Sequence, residues 1–301
     1  MYEEIARNRR KTVLLIVLAV LLLAAVGYGL GLLFDAGVVG LAIALAIATF
    51  MSFASYRYGD RIVLASARAK AVTHEQQPRL HNIVEGLSLA AGIPKPRVYV
   101  IPEQAPNAFA TGRDPEHASI AVTEGLLATM NRVELEGVLA HELAHVKDRD
   151  ILVGTIVATL VGAVVLVSEF MLRWFWWGGI RGRRGSDRGG GAEALLFGVG
   201  ILLAIMAPIF AQLIRFAVSR HREYLADAQG AMLTRYPPGL ASALRKIAAA
   251  QNIPMRSANN ATAHLWIQQP SRLQAERFTF FERLFSTHPP IQDRIRILEE
   301  M

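Results

Sequence analysis

Ala140-His141-Glu142-Leu143-Ala144-His145 is the stretch on which the reading of the fold turns. Leu135, Leu139, Leu143 and Val146 recur around it at helical spacing, which predicts a helix over residues 133–147. On a helix, residues four apart stand one turn above each other. His141 and His145 therefore present two imidazoles on one face, spaced for a single zinc ion. Glu142 points off that line yet can reach a water on the metal. Zinc lowers the pKa of its bound water to about 7, and a carboxylate beside it takes the proton as the oxygen attacks a carbonyl. A buried helix whose histidines only cap or pack is the competing reading, and the rest of the chain decides between the two.

A zinc protease of this design needs a third protein ligand, often a Glu on a later helix. Ser219-Arg220-His221-Arg222-Glu223-Tyr224-Leu225-Ala226-Asp227 offers one. Glu223 and Asp227 are four apart and share a helix face. Glu223 is read as the third ligand, and Asp227 as the acceptor for the free N–H of a ligand His, which orients the ring and raises its basicity. The alternative is a charged helix surface with Arg220 and Arg222 paired to these acids. In His288-Pro289-Pro290 the prolines hold the histidine backbone extended. A fixed His288 near zinc can donate to the tetrahedral oxyanion; a histidine beside a turn at a helix start is the other reading. Residues 107–112, above all Asn107, Ala108, Phe109 and Ala110, are expected to form an exposed edge strand beside the cleft. An extended substrate would add to it as a further strand. His74, His81, His117 and His264 lack ligand spacing and are read as surface or packing residues.

Composition sets the surroundings. The chain has 301 residues, 52% of them hydrophobic, and a mean hydropathy of +0.31, so it is too apolar for a typical soluble protein. There is no cysteine, which excludes a disulfide scaffold and a thiol nucleophile and leaves His and carboxylates as the zinc ligands. The net charge of +7 points to anionic lipid heads. No interleaving of aromatic and basic residues suggests a nucleic-acid partner.

Four apolar runs divide the chain. Residues 13–34 follow Arg7, Arg9, Arg10 and Lys11 and are long enough to span a bilayer, which needs roughly 20 residues. A cleaved signal peptide would have a shorter core. Residues 36–56 make the second run, and Arg57, Arg61, Arg68 and Lys70 follow, so both outer ends of this hairpin are expected on the cytoplasmic side. Residues 151–172 and 194–213 are the third and fourth runs, joined by a segment rich in Trp, Arg and Gly; Pro208 should kink the fourth. Arg181, Arg183, Arg184 and Arg188 in that tip oppose the positive-inside tendency. Either the tip is carried across the membrane or the pair is re-entrant, and spanning with the tip outside is the expectation. Between the hairpins, helices are expected at 78–91 and 133–147 and strands at 97–101, 107–111 and 119–122, with Thr123 capping a short helix. Helices at 239–251, 274–285 and 291–300 should follow. The expected units are a membrane hairpin at 1–57, a first protease part at 58–150, a second hairpin at 151–216 and a second protease part at 217–301.

Taken in order, residues 107–112, His141 to His145, Ser219 to Asp227 and His288-Pro289-Pro290 resemble the motifs of HtpX-type membrane zinc metalloproteases, relatives of the CAAX prenyl proteases. The resemblance covers nearly the whole chain. It implies cleavage of damaged or misfolded membrane proteins in quality control and stress response. It also strengthens the active-site reading of His288. The expected protein is mainly helical, with four transmembrane helices and a cytoplasmic α+β zinc-metalloprotease domain carrying a small sheet. It sits multi-pass in the cell inner membrane, holds one zinc ion and takes polypeptide substrates. His141, His145 and Glu223 bind the metal, and Glu142 is the general base. A CAAX-type prenyl-protein protease is the near alternative, although those look larger with more spans. A non-catalytic zinc-binding scaffold is the distant one, and Glu142 argues against it because a structural site needs no base.

Overall fold

The computed structural model describes residues 37–160, 220–258, 262–268 and 289–301, together with Ala6, Asn8, Arg10, Thr12–Leu21, Ala24 and Tyr28 near the N-terminus. The third apolar run beyond residue 160, the Arg-rich tip, the fourth run, the expected helix 274–285 and His288 lie outside the described residues.

Nine helices and four strands are labelled here in chain order. They are α1 (Thr12–Leu21), α2 (Gly37–Ser66), β1 (Lys70–Ala71), α3 (Pro78–Ala91), β2 (Arg97–Ile101), β3 (Ala108–Thr111), β4 (Ser119–Thr123), α4 (Glu124–Thr129), α5 (Arg132–Lys147), α6 (Asp150–Leu160), α7 (Arg220–Thr234), α8 (Pro237–Ala249) and α9 (Ile291–Glu299). The chain is mainly helical with one small mixed sheet, as expected. The strands run β1-β2-β4-β3, with β2 and β4 parallel and the outer pairs antiparallel.

Period-two alternation places the sheet. Val98, Val100, Ala108, Ala110, Ile120 and Val122 face the main core, which they share with α3, α5, α8 and α9. Tyr99, Ile101, Phe109 and Ala121 face the other way, onto Val63, Leu64, Ala67 and Trp266. The sheet is thus covered on both faces. This corrects the exposed strand expected at 107–112. β3 does lie at an edge, but all four of its residues are buried, because the end of α2 and the segment 263–267 cover the face that α5 leaves open.

α2 is the described helix long and apolar enough to cross a membrane. Val38, Ile43, Phe50 and Phe53 stand exposed along it, as lipid-facing residues would. At 1.5 Å per residue its 30 residues reach about 45 Å, more than a hydrocarbon core of about 30 Å. Its last turns therefore pass the point drawn at residue 57 and dock on the sheet through Val63 and Leu64.

α5 is central. Asn131 and Glu134 form a capping box at its start, and Asp148 ends it. Leu135, Leu139, Leu143 and Val146 are fully buried. Two glycines let other helices come close. A Cβ on Gly137 would stand 2.7 Å from the Leu240 backbone nitrogen in α8, and one on Gly230 in α7 would stand 3.0 Å from that of His141. α8 starts at Pro237, two residues before the expected 239, because proline suits a first helical position whose N–H needs no partner.

Candidate metal centre

Gly230 brings α7 against α5 at the level of His141, so that Glu223 faces the two imidazoles. The Nε2 atoms of His141 and His145 lie 3.2 Å apart. The Glu223 carboxylate oxygens stand 3.9 Å from the first and 3.6 Å from the second. One ligand atom from each of the three residues falls within 4.8 Å of the others. Each imidazole is held from behind. His141 Nδ1 meets Asp227 Oδ1 at 2.9 Å, and His145 Nδ1 meets Asp150 Oδ2 at 3.2 Å. A ring that donates its Nδ1 proton to a carboxylate keeps a lone pair on Nε2. Two such lone pairs and a carboxylate aimed at one buried point repel unless a cation lies between them. The donor set therefore fits zinc, with two nitrogens and one oxygen.

Glu142 lies on the wall of the same cavity, a space of about 60 Å³ that admits an ion and some water. Burial pushes its carboxyl up, opposed by the His145 charge, reinforced by Glu223 and opposed again by the Ala110 N–H, to about 7. A carboxylate so raised is a better proton acceptor near neutral pH.

The two histidines are tuned in opposite directions. Burial lowers His141; the Asp227 bond works against this, and the adjacent Arg294 charge lowers it further. Burial would lower His145 too, but its bond to Asp150 and the charges of Glu223, Asp150 and Glu142 lift it to about 9.

Arg294 is a site residue that the sequence pattern did not point to. It is 1% exposed and grips Asp227 with two bonds, Nε to Oδ2 at 2.8 Å and Nη2 to Oδ1 at 2.7 Å. Its Nη1 lies 3.5 Å from Glu223 Oε2. Burial raises the Asp227 carboxyl, yet the Arg294 charge and hydrogen bonds outweigh it and hold the group at about 2. The signal was available: Ile291, Ile295 and Leu298 form one stripe of α9, and Arg294 falls on it. Asp150 was missed as well. It follows a chain reversal in which Arg149 adopts φ of 58°, so no helical spacing links it to His145. Arg222, which the alternative reading paired with the acids of its own helix, instead donates from Nη1 to Asp150 Oδ1 at 2.9 Å.

The four strand residues part company. Ala110 lines the metal cavity. Asn107 spends its side chain on residue 268, donating from Nδ2 to the Gln268 carbonyl at 2.7 Å and accepting from its N–H at 3.3 Å. Ala108 accepts at its carbonyl from Ile267 N–H at 3.0 Å. Phe109 points to the opposite face, edge-on to Trp266 with centroids 4.8 Å apart. The chain's own residues 267–268 thus take the part of the strand edge expected to receive substrate. Among the histidines without ligand spacing, His264 is buried beside the cavity and bonds the Gly154 carbonyl at 3.0 Å.

A His-Glu-x-x-His helix joined by a Glu from a later helix defines a zinc metallopeptidase, here on a chain with a helix of membrane length. The sequence profile of peptidase family M48 matches residues 74–301, and the chain belongs to that family. It is 47% identical over 301 residues to the protease HtpX homolog of Thermoanaerobacter pseudethanolicus, spanning 100% of this chain and 98% of that one. Identity to the protease HtpX homolog of Pyrococcus furiosus is 49% over 281 residues, 93% of this chain and 91% of the relative. The crystal structure of S. mikatae Ste24p is similar with a TM-score of 0.48 at 17% identity, covering 99% of this chain and 67% of that one. The resemblance to HtpX-type proteases read from the four motifs is thereby confirmed, and with it the zinc metalloprotease activity.

Proposed function

We propose that this metalloprotease is a multi-pass endopeptidase that cleaves membrane or misfolded polypeptides at the cytoplasmic face of the inner membrane. The observation that carries the reading is the meeting of His141, His145 and Glu223 at one buried point with Glu142 on the wall beside it. His141, His145 and Glu223 hold the zinc. When bound, zinc supplies Lewis-acid charge to the attacking water and to the scissile carbonyl. Glu142 takes the proton from the water and returns it to the leaving amine. Asp227 and Asp150 fix the imidazole rings, and Arg294 fixes Asp227. His288, which precedes the helix that delivers Arg294, is assigned the hydrogen bond to the oxyanion. Ala110 is the strand residue assigned contact with an extended substrate, since it shares the metal cavity.

The orientation rests on charge. Asn8 lies against Asp148 and Asp150, so the start of the first apolar run, which carries Arg10, is read as lying on the metal side. Basic residues favour the cytoplasm. Four spans then carry the Arg-rich tip outside. A cysteine at Ser186, labelled by an impermeant thiol reagent on intact cells, tests this against no native cysteine background. Labelling only after lysis would place the tip inside. The substrate class is tested by proteomics on membranes from cells with the active protein or Glu142→Gln. Membrane proteins should accumulate in the variant; accumulation of unprocessed prenylated proteins alone would favour the CAAX-type activity.

A further inference from the structure

Among the described residues, the N-terminal helical segment reaches the metal site through the side chain of Asn8. Asn8 is 1% exposed, and its Nδ2 donates twice, to Asp150 Oδ1 at 2.5 Å and to the Asp148 carbonyl at 3.0 Å. Both amide hydrogens are thus used, and the flipped amide would set oxygen against two acceptors, so the orientation is fixed. Asp150 in turn receives donors from three elements. Asn8 and Arg222 bond Oδ1, which leaves Oδ2 for His145 Nδ1. Behind Asn8 the segment packs lengthwise, with Ala19 of α1 buried against Ile156 and Leu160 of α6.

We infer that Asn8 is a positioning residue of the metal site, acting through Asp150 on the ring of His145. A carboxylate bonded at one oxygen by Arg222 alone can swing about its last torsion. The second donor, from another element, stops that motion and keeps Oδ2 on the histidine. The first membrane segment is therefore part of the metal-binding apparatus, and the packing of α1 on α6 sets how firmly His145 is held. The inference rests on the reading of His145 as a zinc ligand.

The test is a double-mutant cycle on zinc affinity, measured by chelator competition on the full-length protein in nanodiscs. Removing a group that directly supports a ligand histidine costs about 10- to 100-fold in affinity. Asn8→Ala acts one bond further out, so about tenfold is expected. It should also shift the visible absorption bands of the cobalt-substituted protein. In the Asp150→Asn background the same Asn8→Ala change should have almost no effect, because the path is already cut. Equal losses in both backgrounds would show that Asn8 acts only through helix packing and would overturn the inference. So would an unchanged affinity in Asn8→Ala. If Asn8→Ala does not accumulate folded, Asn8→Ser, which keeps a single donor, is run through the same cycle under the same criteria. His145→Ala separates the two levels. Tight zinc binding retained there overturns the ligand assignment and the inference together, whereas zinc lost there but unaffected by Asn8→Ala overturns the inference alone.

Discussion

His141 and His145 lie one turn apart on one helix, each backed by an aspartate, yet their surroundings differ. The His141 side is built inside the protease domain. Asp227 and Arg294 form a charged pair there, both at most 1% exposed, with the guanidinium also near Glu223. The His145 side is built where α5 meets α6 and the N-terminal segment, and Asp150 is shared by α5, α7 and the N-terminal segment. Burial, aided by the cation fixed beside it, disfavours a second proton on His141, whereas the carboxylates around His145 draw a proton when no metal is present. One motif thus holds a dry, electrostatically locked ligand and a ligand tied to helix packing.

The largest effect should come from the group both halves share. Glu142→Gln cannot accept the proton of the attacking water, and general acid–base catalysis contributes typically 100- to 10,000-fold. Peptide cleavage should fall by roughly that range while metal analysis shows zinc retained. Activity near the parent level would remove Glu142 from the mechanism. Arg294→Met breaks the His141 side alone. It leaves the Asp227 charge buried without its partner, which costs about 3–5 kcal/mol. Thermal unfolding in detergent should shift down by roughly 10 °C. An unchanged transition would mean that the Asp227–Arg294 pair is not what holds this side.

These two halves were unequally legible in the sequence. His141 and His145, like Glu223 and Asp227, obey a four-residue spacing within helices, and Glu142 adjoins the first pair, so local periodicity carries that information. Arg294 was legible in principle, as a charge on the apolar stripe of α9, but not the identity of its partner. Asp150 and Asn8 reach each other across the chain through a positive-φ turn and a helix packing, and no local pattern encodes either. The sheet shows the same limit. Alternation placed β2, β3 and β4 within a residue of their observed bounds. It could not show that Trp266 and the end of α2 would bury the second face of β3, which turns the expected open edge into interior.

The opposite tuning of the two rings predicts a pH dependence confined to the metal-free protein. His145 has its folded pKa raised from 6.5 to about 9. A raised group contributes stability that is fully present below its unfolded value and lost as pH rises through the folded one. Chelated protein should therefore lose on the order of 3 kcal/mol between pH 6.5 and 9. His141, shifted the other way, cannot compensate in that window. The zinc-loaded protein should not show the effect, because zinc replaces the proton on His145. Unfolding followed across that pH range, with and without chelator, measures the difference. A flat profile in the chelated protein would show that the carboxylates around His145 do not hold a proton there.

The smallest expected effect separates the two supports directly. Asp227→Asn and Asp150→Asn keep side-chain size and replace a carboxylate by an amide, which weakens the hold on one ring each. Support of this kind is worth about 10- to 100-fold in metal affinity. The two losses should not be equal. The Asp227 side chain is 2% exposed and its bond to His141 is 2.9 Å, while the Asp150 side chain is 11% exposed and its bond to His145 is 3.2 Å. A shorter, drier bond to a charged acceptor contributes more. Removing the Asp227 charge also leaves Glu223 as the carboxylate nearest Arg294, drawing a ligand away from the metal. Asp227→Asn is thus expected near the upper end of the range and Asp150→Asn near the lower, in chelator competition on matched preparations. The reverse order would move the tighter support to the His145 side and make the N-terminal segment, rather than α9, the main determinant of zinc affinity.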